Sequence, residues 1–533
     1  MYLLLARPRK KGEVTIMIKK MKKSHSSLAV KAVAFAMASM LMIAGIIGLL
    51  PENASADTAA TDSGKTVVLR VCNWEEYIDL GEWEDDEVID LDNGDIFGEN
   101  PLYEDFDEWY YENYGVKVVV EYSCFGTNEE LYNMLTIGDV YDLVCPSDYM
   151  IMKLMSEGKL VSFSDDFFDA ENEENYYVRG ASPFIQQAFE ENQINGEAWK
   201  NYAACYMWGV TGMLYNPEEV PREDAMTWKI LNNPDYYRQV TVKDNVRDTM
   251  FAGIGALKSD MLLSEEFINS DNYSMRLRDE MNDVSEENLA VLQEYLQDVR
   301  NNAYSFESDS GKADMITGKV LANLQWSGDA VYAMDQAEED DYYLEYAIPD
   351  ECTNLWFDGW VMLKSGIGDD EAKKQAAEAF VNYLSMPENA VRNMYYIGYT
   401  SAITGGEYDD TVFQYIDWTY SAEEDEDSEE IVEYNVGYYF TGEEDNEDYI
   451  IYTTEDQTRR QLYAQYPPKD AIDRSAIMWY FDTEANARVN QMWINVRCFN
   501  AKSIPVWLWV IIGAAFGAAV FVMIRTKVNN RAK

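Results

Sequence analysis

Nine side chains in this sequence have the chemistry to hold an organic cation together: Trp74, Glu76, Tyr77, Tyr149, Asp248, Trp326, Trp356, Asp358 and Tyr399. Carboxylates make charge-assisted hydrogen bonds to ammonium groups. Aromatic faces attract the same cations and cover the methylenes between them. Each residue alone has a plainer reading, because a Trp mostly serves packing and an exposed Asp is mostly solvated. What they share is position: each falls near the end of a stretch that reads as a strand. The ligand this mixture suits is a flexible aliphatic chain with ammonium groups spaced along it.

Other chemistries are narrowed by what is missing. The single histidine, His25, lies in an N-terminal leader, so the rest of the chain is without one. That excludes His-dependent triads, His-bearing zinc sites and His acid–base catalysis. A carboxylate-pair surface enzyme, such as a glycosidase, stays open in principle. A calcium- or partner-binding acidic protein is a further alternative, although Asp92-Asn93-Gly94 is too fragmentary for an EF-hand. Six cysteines (Cys72, Cys124, Cys145, Cys205, Cys352 and Cys498) form no CxxC pair, which disfavours structural zinc. No cofactor or metal is implied. There is no Walker motif, so any pump must be a separate protein.

The ends define a compartment. A basic start, an apolar stretch over about 32–50 and small residues at Ala54-Ser55-Ala56 form the layout of a signal peptide spanning 1–56. Residues 505–524 are free of charge and match one hydrocarbon thickness. Trp507 and Trp509 suit the outer interface, and the basic tail 525–533 is expected in the cytoplasm. Everything between is expected on the extracellular face of the membrane, tethered by the C-terminal span. This outer part holds 29 basic and 94 acidic residues, a net of −65. Such a surface repels nucleic acid and steers cations inward.

The elements that must position the nine side chains follow from periodicity. Strands are expected at 66–71, 116–122, 142–145, 206–215, 239–242, 320–326 and 356–363. Helices are expected at 105–114, from Thr127 or Asn128, at 369–386 and at 484–496. The β-α-β-α rhythm predicts mostly parallel sheets, with ligand outside the carboxyl ends of the strands. Residues 80–102 read as an acidic surface excursion. Residues 405–465 read as an acidic insertion, part of it a hairpin, with 422–430 a low-complexity loop.

Six segments now come together: VCNWEEYID (71–79), GTNEELYNML (126–135), YDLVCPSDYMIMKLMSEGKL (141–160), KDNVRDTMF (243–251), LQWSGDA (324–330) and IGYTSA (397–402). In order and spacing the chain resembles the bacterial spermidine/putrescine-binding proteins of ABC importers, over about residues 65–405. The resemblance implies a two-lobed type II periplasmic-binding fold with a hinge and no enzymatic activity. It implies lobe 1 from 65–209 and 358–404, and lobe 2 from 210–357 and 405–500, with crossings near Gly209, Asp358 and Gly405. It implies polyamine as ligand, with separate permease and ATPase subunits as partners. By the same resemblance Trp74, Tyr77, Ser147, Tyr149, Trp326, Trp356, Asp358 and Tyr399 line the ligand. By that resemblance the family's terminal-amine carboxylates, an Asp and a Glu three residues on, fall on Asn245 and Asp248, so one acid is lost and one shortened. A same-fold binder of another cationic amine is therefore the alternative within the family.

Overall fold

The computed structural model describes residues 66–498, apart from 85–86, 309, 423–430 and 444–445. The expected leader 1–56 and the expected span 505–524 with its tail 525–533 lie outside the described residues. Among the described residues no helix is long and apolar enough to cross a membrane.

Three strands form one flank: β1 (Val67–Trp74), β2 (Val118–Phe125) and β3 (Leu143–Val144). β1 lies between the other two and is parallel to both. Their β-branched residues suit a pleated, half-buried surface. β4 (Ala203–Tyr215) follows, 13 residues long and buried at every position. The second flank comprises β5 (Val240–Lys243), β6 (Ser305–Glu307) and β7 (Ala322–Trp326), with β5 parallel to both neighbours. β8 (Thr353–Leu363) is again buried throughout.

The strands run β6-β5-β7-β4-β8-β3-β1-β2, with four short strands added to β4 and β8. The expectation of two mostly parallel sheets therefore needs correction. Each flank is parallel, but β4 is antiparallel to β7 and to β8, and β8 is antiparallel to β3. The two flanks join into one mixed sheet. The cause is length: at about 3.3 Å per residue β4 spans roughly 40 Å, enough to serve both flanks. Its first half pairs with β8, and from Thr211 onward it pairs with β7.

Most helices lie close to their expected bounds. Thr127 is the N-cap of helix Asn128–Ile137, its hydroxyl accepting from Glu130 N at 3.0 Å. The 369–386 segment is Glu371–Leu384, and Pro387 then starts a separate helix, Pro387–Ile397. Proline suits a first helical turn because that N–H has no intrahelical partner. All six cysteines are unpaired, and Cys72 and Cys145 are buried as small apolar groups.

The two acidic segments meet. Within 80–102, Ile89–Leu91 pairs antiparallel with Gly94–Ile96. Asn93 Nδ2 donates to Asp410 Oδ1 at 2.7 Å. Within 405–465, Ile431–Asn435 and Ile450–Thr454 form an antiparallel pair. Helix Thr411–Tyr420 packs on Pro387–Ile397, Gly437–Thr441 on Pro183–Glu191, and Gln461–Gln465 on Ser327–Glu338. Tyr415, Tyr438 and Tyr439 of this segment are buried. The segment thus extends the main hydrophobic core with aromatic rings, Tyr439 stacking on Trp208 of β4, and touches helices from both halves of the sheet.

Candidate binding cleft

Strand periodicity puts Trp356 and Asp358 on one face of β8. Opposite Trp356 on β4 stands Gly209. A Cβ there would lie 2.5 Å from the Trp356 ring, so the close approach requires glycine. The turn after β3 brings Ser147 into an isolated bridge with Asp358. From the turn after β1, Tyr77 Oη donates to Asp358 Oδ2 at 2.8 Å. The Tyr399 ring stands 4.9 Å from Tyr77 and 5.9 Å from Trp356. Five expected residues, Tyr77, Ser147, Trp356, Asp358 and Tyr399, therefore assemble.

Asp358 is only 6% exposed. Its Oδ1 is buried without a hydrogen-bond partner, as is Trp356 Nε1. Burial pushes the Asp358 acid up to about 6, against the pull of the Ser147 and Tyr77 hydroxyls. Asp148 lies beneath, with Oδ1 and Oδ2 accepting from Tyr149 N and Phe357 N. Burial raises its acid well above the carboxylate range, which favours the uncharged form.

The other end is built by β5 and the helix it feeds, Val246–Leu262. Asn245 is that helix's N-cap, its Oδ1 accepting from Arg247 N at 2.8 Å. Asp248 sits in the first turn, raised to about 6 by burial and hydrogen-bonded by Trp326 at the end of β7. Lys243 Nζ lies 4.3 Å from the Trp326 ring centroid, 3.7 Å from Asp329 Oδ2 and 3.9 Å from Glu307 Oε1. Lys312 Nζ is 3.3 Å from Asp329 Oδ1. Burial opposes ionisation of Asp329, but Lys312 and Lys243 outweigh it and lower its acid. Tyr399 Oη donates to Asp329 at 3.0 Å, so one ring touches both ends. The buried Arg247 guanidinium lies 4.5 Å over Tyr149 and 3.9 Å over Phe481. Tyr149 Oη accepts from Asn128 Nδ2 at 3.0 Å.

Two expected residues stand apart from this network. Trp74 packs on Phe125 at 4.7 Å, its Nε1 buried without a partner. Glu76 is exposed, with a left-handed φ of 56°. Sequence reasoning passed over Lys243, Arg247, Asp329 and Asp148. The first two lie in KDNVRDTMF and were legible as basic residues beside a strand end in a chain of net charge −54.

With this geometry described, comparison with known proteins is informative. The family model for bacterial extracellular solute-binding proteins matches residues 102–415. A spermidine/putrescine-binding periplasmic protein of Salmonella typhimurium is 24% identical over 294 residues, covering 55% of this chain and 72% of that protein. A putrescine/agmatine-binding protein of Pseudomonas aeruginosa is 27% identical over 205 residues, covering 37% and 50%. Among solved structures, a putative spermidine/putrescine ABC transporter protein from Listeria monocytogenes superposes with a TM-score of 0.53 at 20% identity, over 81% of this chain and 99% of that one. At that identity the likeness speaks for the fold.

Proposed function

Since the chain belongs to the bacterial extracellular solute-binding protein family, we propose that it captures an aliphatic polyamine of the spermidine/putrescine class for a separate ABC permease and ATPase. It is a binding protein, not an enzyme. The observation that supports this reading best is Asp358: a buried carboxylate with one unpartnered oxygen, set among Tyr77, Trp356 and Tyr399. Such a group is unfavourable unliganded and is relieved by an ammonium. The relatives named above bind spermidine, putrescine or agmatine, which is the same chemistry.

In this reading Tyr149, Asp248 and Trp326 extend the aromatic and acidic lining, and Trp74, Glu76 and Asn245 lie at its margin. The lobes are 65–209 with 358–404, and 210–357 with 405–500, hinged where β4 and β8 pass between flanks. Domain closure then buries the ligand. The chain is exported by its 1–56 leader and tethered outside the cell by 505–524. Isothermal titration of the full chain in detergent tests the function. Saturable heat with spermidine or putrescine, and none with neutral sugars or Ca²⁺, is expected. Sugar binding without amine binding overturns the reading.

A further inference from the structure

Tyr399 is the ring that reaches both ends of the cleft, and the turn that carries it is held from the acidic segment 405–465. The residue stands between Gly398 and Thr400. Gly398 is the left-handed C-cap of helix Pro387–Ile397, with φ 76°, and Thr400 opens a short strand that pairs with Trp208 and Met207 of β4. Gln465, the last residue of the acidic segment, grips both neighbours. Its Nε2 donates to Gly398 O at 2.9 Å. Its backbone O accepts from Thr400 Oγ1 at 3.0 Å. Its Oε1 accepts from Tyr420 Oη at 2.6 Å. Gln465, Tyr420 and Thr400 are all buried.

The chemistry leaves this arrangement one orientation. A backbone carbonyl only accepts, so the Gln465 amide must turn its nitrogen to Gly398 and its oxygen to Tyr420. Tyr420 ends helix Thr411–Tyr420, so the acidic segment supplies both the amide and the hydroxyl that orients it. The segment also bonds the helix beneath the Tyr399 ring. Gly328 of Ser327–Glu338 makes room for that ring, since a Cβ there would stand 2.5 Å from it. Asp329 of the same helix accepts from Tyr399 Oη, and Asp335 accepts from Gln461 Nε2 at 2.8 Å. The ring's own contacts are ones a ligand would share or displace. The bonds at Gly398 and Thr400 instead fix where the ring starts. Without the amide, the Gly398 carbonyl and the Tyr420 hydroxyl are stranded in the interior, a penalty that a shift of the turn relieves.

We propose that Gln465 is a positioning residue of the binding site: oriented by Tyr420, it sets the turn that carries Tyr399 and so links the acidic segment to amine affinity. This rests on the reading of Tyr399 as part of an amine site and deepens it. The segment 405–465 then contributes to binding without touching the ligand.

The test is calorimetric titration of the full chain in detergent with spermidine and putrescine, using the wild type, Gln465→Leu, Tyr399→Ala, the double variant and Tyr420→Phe. Gln465→Leu is expected to weaken binding about tenfold. Tyr420→Phe keeps the ring and removes only the orienting hydroxyl, and should weaken binding about threefold. Tyr399→Ala should weaken binding about tenfold or more. In that background Gln465→Leu should cost about twofold or less, because the residue through which it acts is gone. A general loosening of the fold would give the same loss with and without Tyr399. Equal losses in the two backgrounds, or wild-type affinity in Gln465→Leu and Tyr420→Phe, overturn the inference and leave the amine reading standing. So does wild-type affinity in Tyr399→Ala. A wild type that binds neither amine overturns the parent reading and this one with it. Where Gln465→Leu does not fold, Tyr420→Phe with and without Tyr399→Ala decides the matter.

Discussion

Replacing Asp358 with Asn should make the empty protein more stable while removing its ligand binding. Asn keeps the side-chain shape and can still accept from Tyr77 Oη, which bonds Asp358 at 2.8 Å. The acid of Asp358 is raised by burial from 3.8 to about 6. A gap of about 2 units corresponds to a penalty on the order of 3 kcal/mol for the ionised form. The sign follows from linkage. A carboxyl whose folded value is raised favours folding most when protonated, and that contribution is lost as pH rises through about 6. The wild type therefore bears the full penalty above about pH 6, and sheds it as the pH falls toward 3.8. Asp358→Asn should gain roughly 1–3 kcal/mol at pH 7.5, shrinking toward zero near pH 4, by urea denaturation without ligand. Amine affinity in the variant should fall by roughly 2–5 kcal/mol, a factor of about 30 or more, by calorimetry. Wild-type affinity should itself drop about tenfold per pH unit below about 6, because the ammonium needs the anion. A variant that is destabilised equally at both pH values, or that binds amine as the wild type does, refutes the reasoning.

Gly209→Ala should lower amine affinity by about tenfold or more with a stability loss of about 1–3 kcal/mol, since the added methyl meets the Trp356 ring at 2.5 Å and Ser327 Oγ at 2.4 Å; unchanged binding would show that the position of Trp356 is immaterial. Arg460→Gln should cost about 3–5 kcal/mol by urea denaturation, because the buried guanidinium pairs with Glu338 and Asp456 and its loss leaves acids uncompensated. Amide exchange in 450–465 should quicken in that variant; a wild-type exchange pattern would mean that the ion pairs do not hold the segment in place.

The sequence alone determined the things that depend on residue type and short-range period. An alternating β-branched run located β2, apolar runs located β1 and β8, and polar residues ahead of two acids narrowed a helix cap to Thr127 or Asn128, of which the structure uses Thr127. Tryptophan, tyrosine and aspartate at strand ends singled out Tyr77, Trp356, Asp358 and Tyr399, which do assemble, and segment order announced the two-lobed architecture. Tertiary structure alone decided the pairing of these parts. Tyr77 and Asp358 are 281 residues apart, yet their side chains bond directly. The mixed character of the sheet arose from two strands long enough to serve both flanks. Asn245 also serves as a helix N-cap, and Glu76 is exposed, neither of which local pattern fixed. The placement of Asp329 between Lys243 and Lys312 was settled only in three dimensions. Electrostatic and hydrogen-bond energies fall off over a few ångströms, and distances between residues far apart in the chain are fixed by folding rather than by local pattern.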